Sequence, residues 1–386
     1  MPSDPSNLLR IGFIGAGFVN FGGGEGPWDH ASRLERFTDV EVVAIADPDQ
    51  ARARRQLDLR QHGANPNIYS TCRLFGHWQE MLDAADLDAV IIGLPPSAHG
   101  RLEGPDAVEV ACALRGIHML VEKPLSVAQP EQVKAIAAQL AAARSRAGNP
   151  LIVTVGYMLR YLNVVDHLRQ HLQHATQAGR PPCIFNGRYA AAYPFILSPA
   201  FWDRRRSGGA VIEQATHFVD LARYLLGEID LRSIVAHQIP ADSPLGALRC
   251  MPVSPAGISM DAGLSPDDRI ARATIAQWRF TSGALGTLTH ALLQHGKAYD
   301  TELEVWSDGL SAILRDPYSP KCHLDLRVGE ARSTQTPVDG TNDPYYAEME
   351  AFLRAIRENR PDLIRSPYAD AAKTYEVTWA ITQAAQ

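Results

Sequence analysis

The sequence predicts an α/β chain: a doubly wound parallel-sheet domain at the N-terminus, followed by an α/β domain on a large, mostly antiparallel open sheet. Three observations carry this. Short, unbroken apolar runs alternate with helix-patterned stretches from residue 9 to about 155. Strands covered on both faces read that way, and intervening helices let them pair in parallel. Beyond residue 156 the β segments lengthen and alternate apolar with polar, as strands with one solvated face do. The segment 344–386 returns to helical stripes. The expected divisions are 1–155 for the first domain, 156–343 for a substrate and oligomerisation domain, and 344–386 for C-terminal helices packing back on the body.

In the first domain the expected strands are LRIGFIGAG (9–17), EVVAIAD (41–47), NIYST (67–71), DAVIIGL (88–94), GIHMLVE (116–122) and LIVTVG (151–156). Helices fall between them at Asp49–His62, Gly76–Ala84, Pro105–Arg115 and Pro130–Ala147, where apolar residues keep helical spacing. The second domain opens with a helix over Asn163–Gln177 and a strand, IFNGRYAAAY (184–193). A Gly208-Gly209 turn then leads into a helix ending at Leu226. Long β segments follow at 231–240, 272–296 and 301–316, the middle one folded into a hairpin at Thr281-Ser282-Gly283. In the tail, Tyr345, Met349, Phe352, Leu353 and Ile356 form one apolar stripe, and Ala371, Tyr375 and Trp379 a second; both are core-packing patterns.

A chain of 386 residues leaves room for two or three domains and a large core. The formal net charge of -6, without a basic stripe interleaved with aromatics, excludes a nucleic-acid partner. The five cysteines are widely spaced and include no C-x-x-C pair, so they point to a reducing compartment and not to a disulfide framework or zinc knuckle. The N-terminus, MPSDPSNLLR, lacks a basic region followed by an apolar one, and no apolar run reaches membrane-spanning length. The expectation is a soluble, cytoplasmic protein.

Gly15-Ala16-Gly17-Phe18-Val19-Asn20 follows the first strand, where a dinucleotide-binding turn belongs. Glycines there let the backbone approach a pyrophosphate, and the next helix presents the positive end of its dipole. Asn20 replaces the usual third glycine, and Phe21-Gly22-Gly23-Gly24-Glu25-Gly26-Pro27 is inserted before a helix expected around Trp28 to Phe37. A merely flexible loop is the alternative. The second strand favours the nucleotide: it ends on Asp47, about thirty residues after Gly17 where roughly twenty is usual, and the insertion accounts for most of the excess. A carboxylate there accepts hydrogen bonds from an adenosine ribose and repels a 2′-phosphate, which favours NAD. Arg52 and Arg54 nearby leave NADP open.

The fifth strand ends on Val121-Glu122-Lys123-Pro124-Leu125-Ser126. Proline has no N–H and a fixed φ, so it stops the ladder and holds Lys123 extended. Taken alone, a solvated Glu-Lys pair at a strand end is the plainer reading. Farther on, Glu213 and His217 stand four apart in GGAVIEQATHFVD, on one helical face, with Asp220 continuing the stripe and Gly227 as C-cap. A histidine on such a helix is more often structural than catalytic. One whose ring a carboxylate can orient is suited to proton transfer, because its ordinary pKa lies near neutrality.

Together these pieces resemble the Gfo/Idh/MocA family, named for glucose-fructose oxidoreductase, inositol dehydrogenase and a rhizopine-catabolism protein. The likeness spans nearly the whole chain: GAG after the first strand, AVIIGLPPSAHG, Glu122-Lys123-Pro124, GYMLRY (156–161), and the Gly-Gly-x3-Glu-x3-His helix. The resemblance implies a Rossmann domain plus an α/β domain whose exposed sheet face builds homodimers or homotetramers. It implies an NAD(P)-dependent oxidoreductase acting on a secondary alcohol or carbonyl of a sugar, polyol or related polar metabolite. Lys123 would polarise the reacting oxygen, His217 would take the proton, and Glu213 would bind substrate or orient the imidazole. Gly15, Gly17, Phe18, Val19, Asp47, Pro95, His99, Glu122 and Lys123 would meet the cofactor, and Arg160, Tyr161 and Tyr299 the substrate. An Arg-Tyr pair at a strand end is equally at home in a structural role, and Tyr299 in core packing.

Departures from the family pattern are Glu213 for its aspartate, Ala215 for the glycine after it, the glycine-loop insertion, and a longer segment between His99 and Ala107. The Glu213 departure keeps one rival open, a non-catalytic dinucleotide-binding sensor or scaffold; a lyase or hydratase of the same fold is a second. His167, His171 and His174 share a helical face, but no carboxylate joins them, and no metal is expected. Arg204-Arg205-Arg206 reads as a surface loop. No H-E-x-x-H occurs, and no tyrosine is followed four residues later by lysine, so neither the zinc-protease nor the short-chain dehydrogenase mechanism applies.

Overall fold

The computed structural model describes residues 8–23, 29–254, 257–329 and 342–386, together with the strand at 334–339. The chain divides into two compact units, Met1–Met158 with Tyr345–Ala372, and Leu159–Pro344 with Lys373–Gln386.

The first unit holds six strands: β1 (Leu9–Ile14), β2 (Val40–Ala46), β3 (Arg73–Phe75), β4 (Ala89–Ile92), β5 (His118–Val121) and β6 (Val153–Val155). They lie in the order β3-β2-β1-β4-β5-β6, all parallel. The strand order reverses between β1 and β4, and the loops beyond the carboxyl ends of the strands at such a point are where a parallel sheet binds ligands. Every residue of β4 is buried, as its unbroken apolar run requires. The core joins Ile11, Phe13, Val42, Ile45, Ile91 and Leu120 to Met349, Phe352 and Leu353 of the helix Pro344–Glu358. Each such side chain withdrawn from water contributes about 1.5–3 kcal/mol, which pins that helix to the first unit.

One expectation fails here. NIYST is no strand: Pro66–Tyr69 is a 3-10 turn begun by proline, and Tyr69 donates its hydroxyl to Glu35 Oε1 at 3.0 Å. The third strand is Arg73–Phe75 instead. The glycine loop is followed by a single helical turn, Phe18–Phe21, because Gly22 and Gly23 take φ values of 77° and 86° and turn the chain left-handed. A second short helix, His30–Leu34, starts on an Asp29 cap; Gly24 to Trp28, where the insertion continues and the longer helix was expected to begin, lie outside the described residues. Arg60 ties the edges of the insertion together, donating to Phe21 O at 2.6 Å and to Asp29 Oδ2 at 2.9 Å.

The second unit carries β7 (Ile184–Ala191), β8 (Val235–Ile239), β9 (Ala273–Arg279), β10 (Leu285–Leu292), β11 (Tyr299–Ser307), β12 (Leu310–Arg315), β13 (His323–Val328) and β14 (Thr334–Asp339). Their order is β14-β13-β12-β11-β7-β10-β9-β8, antiparallel throughout except where β10 runs parallel to β7. The hairpin between β9 and β10 turns at Gly283, with Phe280 N–H bonded to Ala284 O at 2.8 Å. Helix Thr216–Leu226 lies on one face of the sheet, and Gly187 lets it approach: a Cβ there would come within 3.3 Å of the Phe218 ring. The opposite face leaves Ile275, Leu285 and Trp306 exposed, the outward half of each strand's alternation. Among the described residues no helix is long and apolar enough to cross a membrane.

Candidate active site

In the first unit the glycine loop leaves β1 through Gly15 at φ 93°, where a Cβ would sit 2.7 Å from Gly93 O, just past the end of β4. Only glycine permits that approach. Gly17 faces open space, with nothing within 4 Å of a would-be Cβ. Val19 is half-buried beside it, and Phe18 is 60% exposed. Asn20, in place of the third glycine, is fully buried and donates Nδ2 to Gly15 O at 2.7 Å, so it locks the turn from inside. Asp47 follows β2 and is 3% exposed. Its Oδ2 accepts from Ala16 N–H at 2.7 Å, its Oδ1 from Asp49 N–H at 2.8 Å, and Arg52 Nη2 bridges both oxygens at 2.8 and 3.0 Å. Its lone pairs are therefore filled, and a ribose hydroxyl reaches it only by displacing the half-exposed Arg52.

At the ends of β4 and β5, Pro95 is exposed and Lys123 half-buried. The Lys123–Pro124 peptide is cis. His99, expected to meet the cofactor, is wholly enclosed, with Nδ1 bonded to Glu109 Oε1 at 2.7 Å, while Glu109 Oε2 accepts Gly100 N–H at 3.0 Å. An imidazole so enclosed fixes the shape of its loop. Ser126 Oγ donates to Gly100 O at 2.8 Å, fastening this loop to the segment after Lys123. Glu122 is likewise turned inward, 5% exposed and held at 2.7 Å by His30 Nε2.

In the second unit Gly208 and Gly209, at φ 78° and 109°, turn the chain into a π-helical segment, Val211–Ala215, which continues as the helix Thr216–Leu226. Such wide turns are rare and concentrate at functional sites. Glu213 lies within the wide turn, half-buried, and His217 one turn on, 5% exposed. The His217 ring meets Tyr318 edge to face at 5.8 Å between centroids. Tyr318 is in turn 5.7 Å from Tyr189 and 5.8 Å from Tyr299, so three tyrosines from separate strands and loops gather beside the imidazole. Burial, and behind it the neighbouring Tyr299 and the Glu213 charge, hold the Tyr318 phenol well above its ordinary range, so it stays neutral. Behind Tyr189, His290 stacks at 5.5 Å and bonds Gln214 Oε1 at 2.9 Å; burial lowers its pKa to about 4.

Arg160 and Asp220 are spent on each other. The guanidinium, 2% exposed, grips Asp220 through Nε–Oδ2 at 2.7 Å and Nη2–Oδ1 at 2.6 Å, and Thr374 Oγ1 donates to the same carboxylate at 3.0 Å. The fork expected to hold substrate is closed on Asp220 in a buried pair, and Tyr161, 4% exposed, is enclosed beside it in sequence. His167 and His171 lie within 3.2 Å at their Nε2 atoms, yet no metal-holding cluster occurs among the described residues. In the arginine run, Arg205 is bound to Asp203 at 2.9 Å.

What these halves offer chemically is a close-approach turn for a pyrophosphate, a lysine fixed at a strand end, and an imidazole in an aromatic, largely dry setting. A model for the oxidoreductase family with an NAD-binding Rossmann fold matches residues 9–148, and one for an oxidoreductase C terminal domain matches residues 160–310. An uncharacterised protein of Schizosaccharomyces pombe is 32% identical over 99% of this chain and 93% of its own length. The chain belongs to the Gfo/Idh/MocA oxidoreductase family.

Other relatives agree. A Thermotoga maritima myo-inositol 2-dehydrogenase is 22% identical over 92% of this chain and 90% of its own. A solved levoglucosan dehydrogenase in complex with NADH and L-sorbose shares the fold, with a TM-score of 0.73 at 19% identity over 98% of this chain and 96% of that one. This Gfo/Idh/MocA member is a nicotinamide-dependent oxidoreductase whose first unit is the NAD-binding Rossmann fold. The residues present fit the dinucleotide: Gly15 and Gly17 keep the loop free of side-chain bulk, and Gly17 and Phe18 present the accessible surface. The sequence pointed to neither His30 nor Tyr318. His30 follows the insertion with no motif around it, and Tyr318 lies in a loop between β12 and β13.

Proposed function

We propose that this oxidoreductase dehydrogenates a secondary alcohol of a sugar or polyol with NAD as the preferred cofactor, Lys123 and His217 acting on the reacting oxygen. The substrate class follows the relatives, whose names specify inositol and levoglucosan. The observation that carries the roles is the environment of His217: an almost fully buried imidazole at the end of a π-helical turn, beside a half-buried carboxylate and a neutral tyrosine. Lys123 donates a hydrogen bond to the substrate oxygen and stabilises negative charge as it develops there. His217 takes the hydroxyl proton; Glu213 orients the imidazole or holds a neighbouring hydroxyl. Nicotinamide, when bound, supplies the hydride acceptor at C4. The alcohol thus loses one proton to His217 and one hydride from carbon, and leaves as a carbonyl.

Asp47 supports NAD over NADP, since a 2′-phosphate beside a buried carboxylate is repelled; Arg52, already bound to it, softens the preference. The open face of the second sheet, with Trp306, Ile275 and Leu285 exposed on it, supports association of two or four copies there.

Fluorescence titration with NADH and NADPH, with absorbance assays over a sugar and polyol panel, tests this. Expected are at least tenfold tighter NADH binding and turnover of one or more panel members. Lys123→Ala and His217→Ala should bind NADH within threefold of wild type while kcat falls about 10²-fold or more. Tight binding with no turnover of any substrate would favour a sensor or scaffold. Product formation without net change in NADH would favour a lyase or hydratase.

A further inference from the structure

We propose that His30 is a positioning residue for Lys123 and acts through Glu122. His30 opens the short helix that follows the glycine-loop insertion, on the Asp29 cap. It is 1% exposed, and its Nε2 lies 2.7 Å from Glu122 Oε1. A carboxylate only accepts, so Nε2 is the donor. The other oxygen, Glu122 Oε2, accepts the backbone N–H of Lys123 at 3.2 Å. One carboxylate therefore joins the insertion helix to the peptide that carries the lysine.

The remaining sides of this clamp are fixed too. A Cβ at Gly156, just past β6, would lie 2.8 Å from the Glu122 carboxylate, so glycine leaves room for it there. The Tyr345 ring meets His30 edge-on at 6.3 Å, and the Arg33 guanidinium lies 5.4 Å from that same ring. This explains a buried glutamate at the end of an apolar strand. Its charge is costly to enclose unless hydrogen bonded, and both bonds it makes fix the direction from which the Lys123 side chain departs. Displacement by about 1 Å of a group acting on a reacting oxygen can lower a rate about 10²-fold.

The inference rests on the catalytic reading of Lys123, and its test separates the two. His30→Leu removes the donor and leaves an enclosed charge, so it risks misfolding. His30→Leu/Glu122→Gln removes donor and charge together, and His30→Gln keeps a donor. Melting temperature, NADH affinity, kcat, KM, the pH profile of kcat, and the acetylation rate of Lys123 relative to Lys134 by acetic anhydride are read on each. In the double variant we expect a Tm within a few degrees of wild type, NADH affinity and KM within threefold, kcat down at least tenfold with a displaced pH limb, and Lys123 acetylation changed at least fivefold. His30→Gln should recover most of the rate. A double variant with wild-type kcat, pH profile and labelling overturns the proposal and leaves the pair a packing feature. Wild-type turnover by Lys123→Ala would instead sink the catalytic reading of that lysine, while altered labelling in the double variant would still establish the clamp.

Discussion

Replacing Arg160 with methionine should cost stability and leave substrate affinity alone. The guanidinium makes two charge-assisted bonds to Asp220, at 2.7 and 2.6 Å, with the two residues 2% and 1% exposed. Methionine keeps apolar contact with the Tyr224 ring, over which Arg160 sits at 4.7 Å. It leaves Asp220 a buried carboxylate with Thr374 still donating at 3.0 Å. Breaking one side of such a pair costs about 3–5 kcal/mol, or roughly two to four powers of ten in the folding equilibrium. Neutralising the abandoned partner, in Arg160→Met/Asp220→Asn, should recover about half or more of that loss, because most of the penalty is the uncompensated charge. Calorimetry and urea titration of wild type, both single variants and the double give the coupling energy directly. The folded fraction of Arg160→Met should show KM within about twofold of wild type. If Arg160→Met melts with wild type and KM alone rises, the guanidinium faces substrate and the buried pair is not what it does in solution.

Two other perturbations follow. Burial lowers the pKa of His290 from 6.5 to about 4, so the unfolded chain binds a proton in that interval where the folded one does not. Stability should therefore fall as pH drops from about 6.5 to about 4, by up to about 3 kcal/mol, and His290→Phe should flatten this part of the Tm–pH curve; parallel curves would refute it. Trp306, 42% exposed on β11, should be covered in the oligomer. Light scattering should give wild type the mass of two or four chains and Trp306→Glu a lower one, and a monomeric wild type at the same concentration would remove the sheet face as an interface.

The parallel sheet was legible because its strands are short, unbroken apolar runs, a pattern that comes from burial on both faces. NIYST misled because isoleucine and tyrosine look like strand residues, whereas Pro66 fixes the first φ of a turn and Tyr69 finds a distant partner in Glu35. β13 carries apolar–polar alternation in HLDLRV over only six residues. β14 hides behind Pro337, which the ladder admits because this strand lies at the sheet edge. Within the site, Gly15 and Gly17 were readable because close approach leaves a glycine signature. The fates of Arg160, His99 and Glu122 were not. Sequence shows that a residue carries a charge or a ring nitrogen, but not that a partner 60 positions away at Asp220, ten away at Glu109, or 92 away at His30 has already taken it.

The helix Pro344–Glu358, which supplies Met349, Phe352 and Leu353 to the core around β1, has a consequence for how the molecule is made. Those residues leave the ribosome only after the entire eight-stranded sheet has emerged. A nascent chain therefore carries an unfinished nucleotide-binding half throughout most of translation, with greasy surface bare. Fragments cut at residue 343 should aggregate or recruit chaperones, and supplying the missing helix in trans should rescue their solubility.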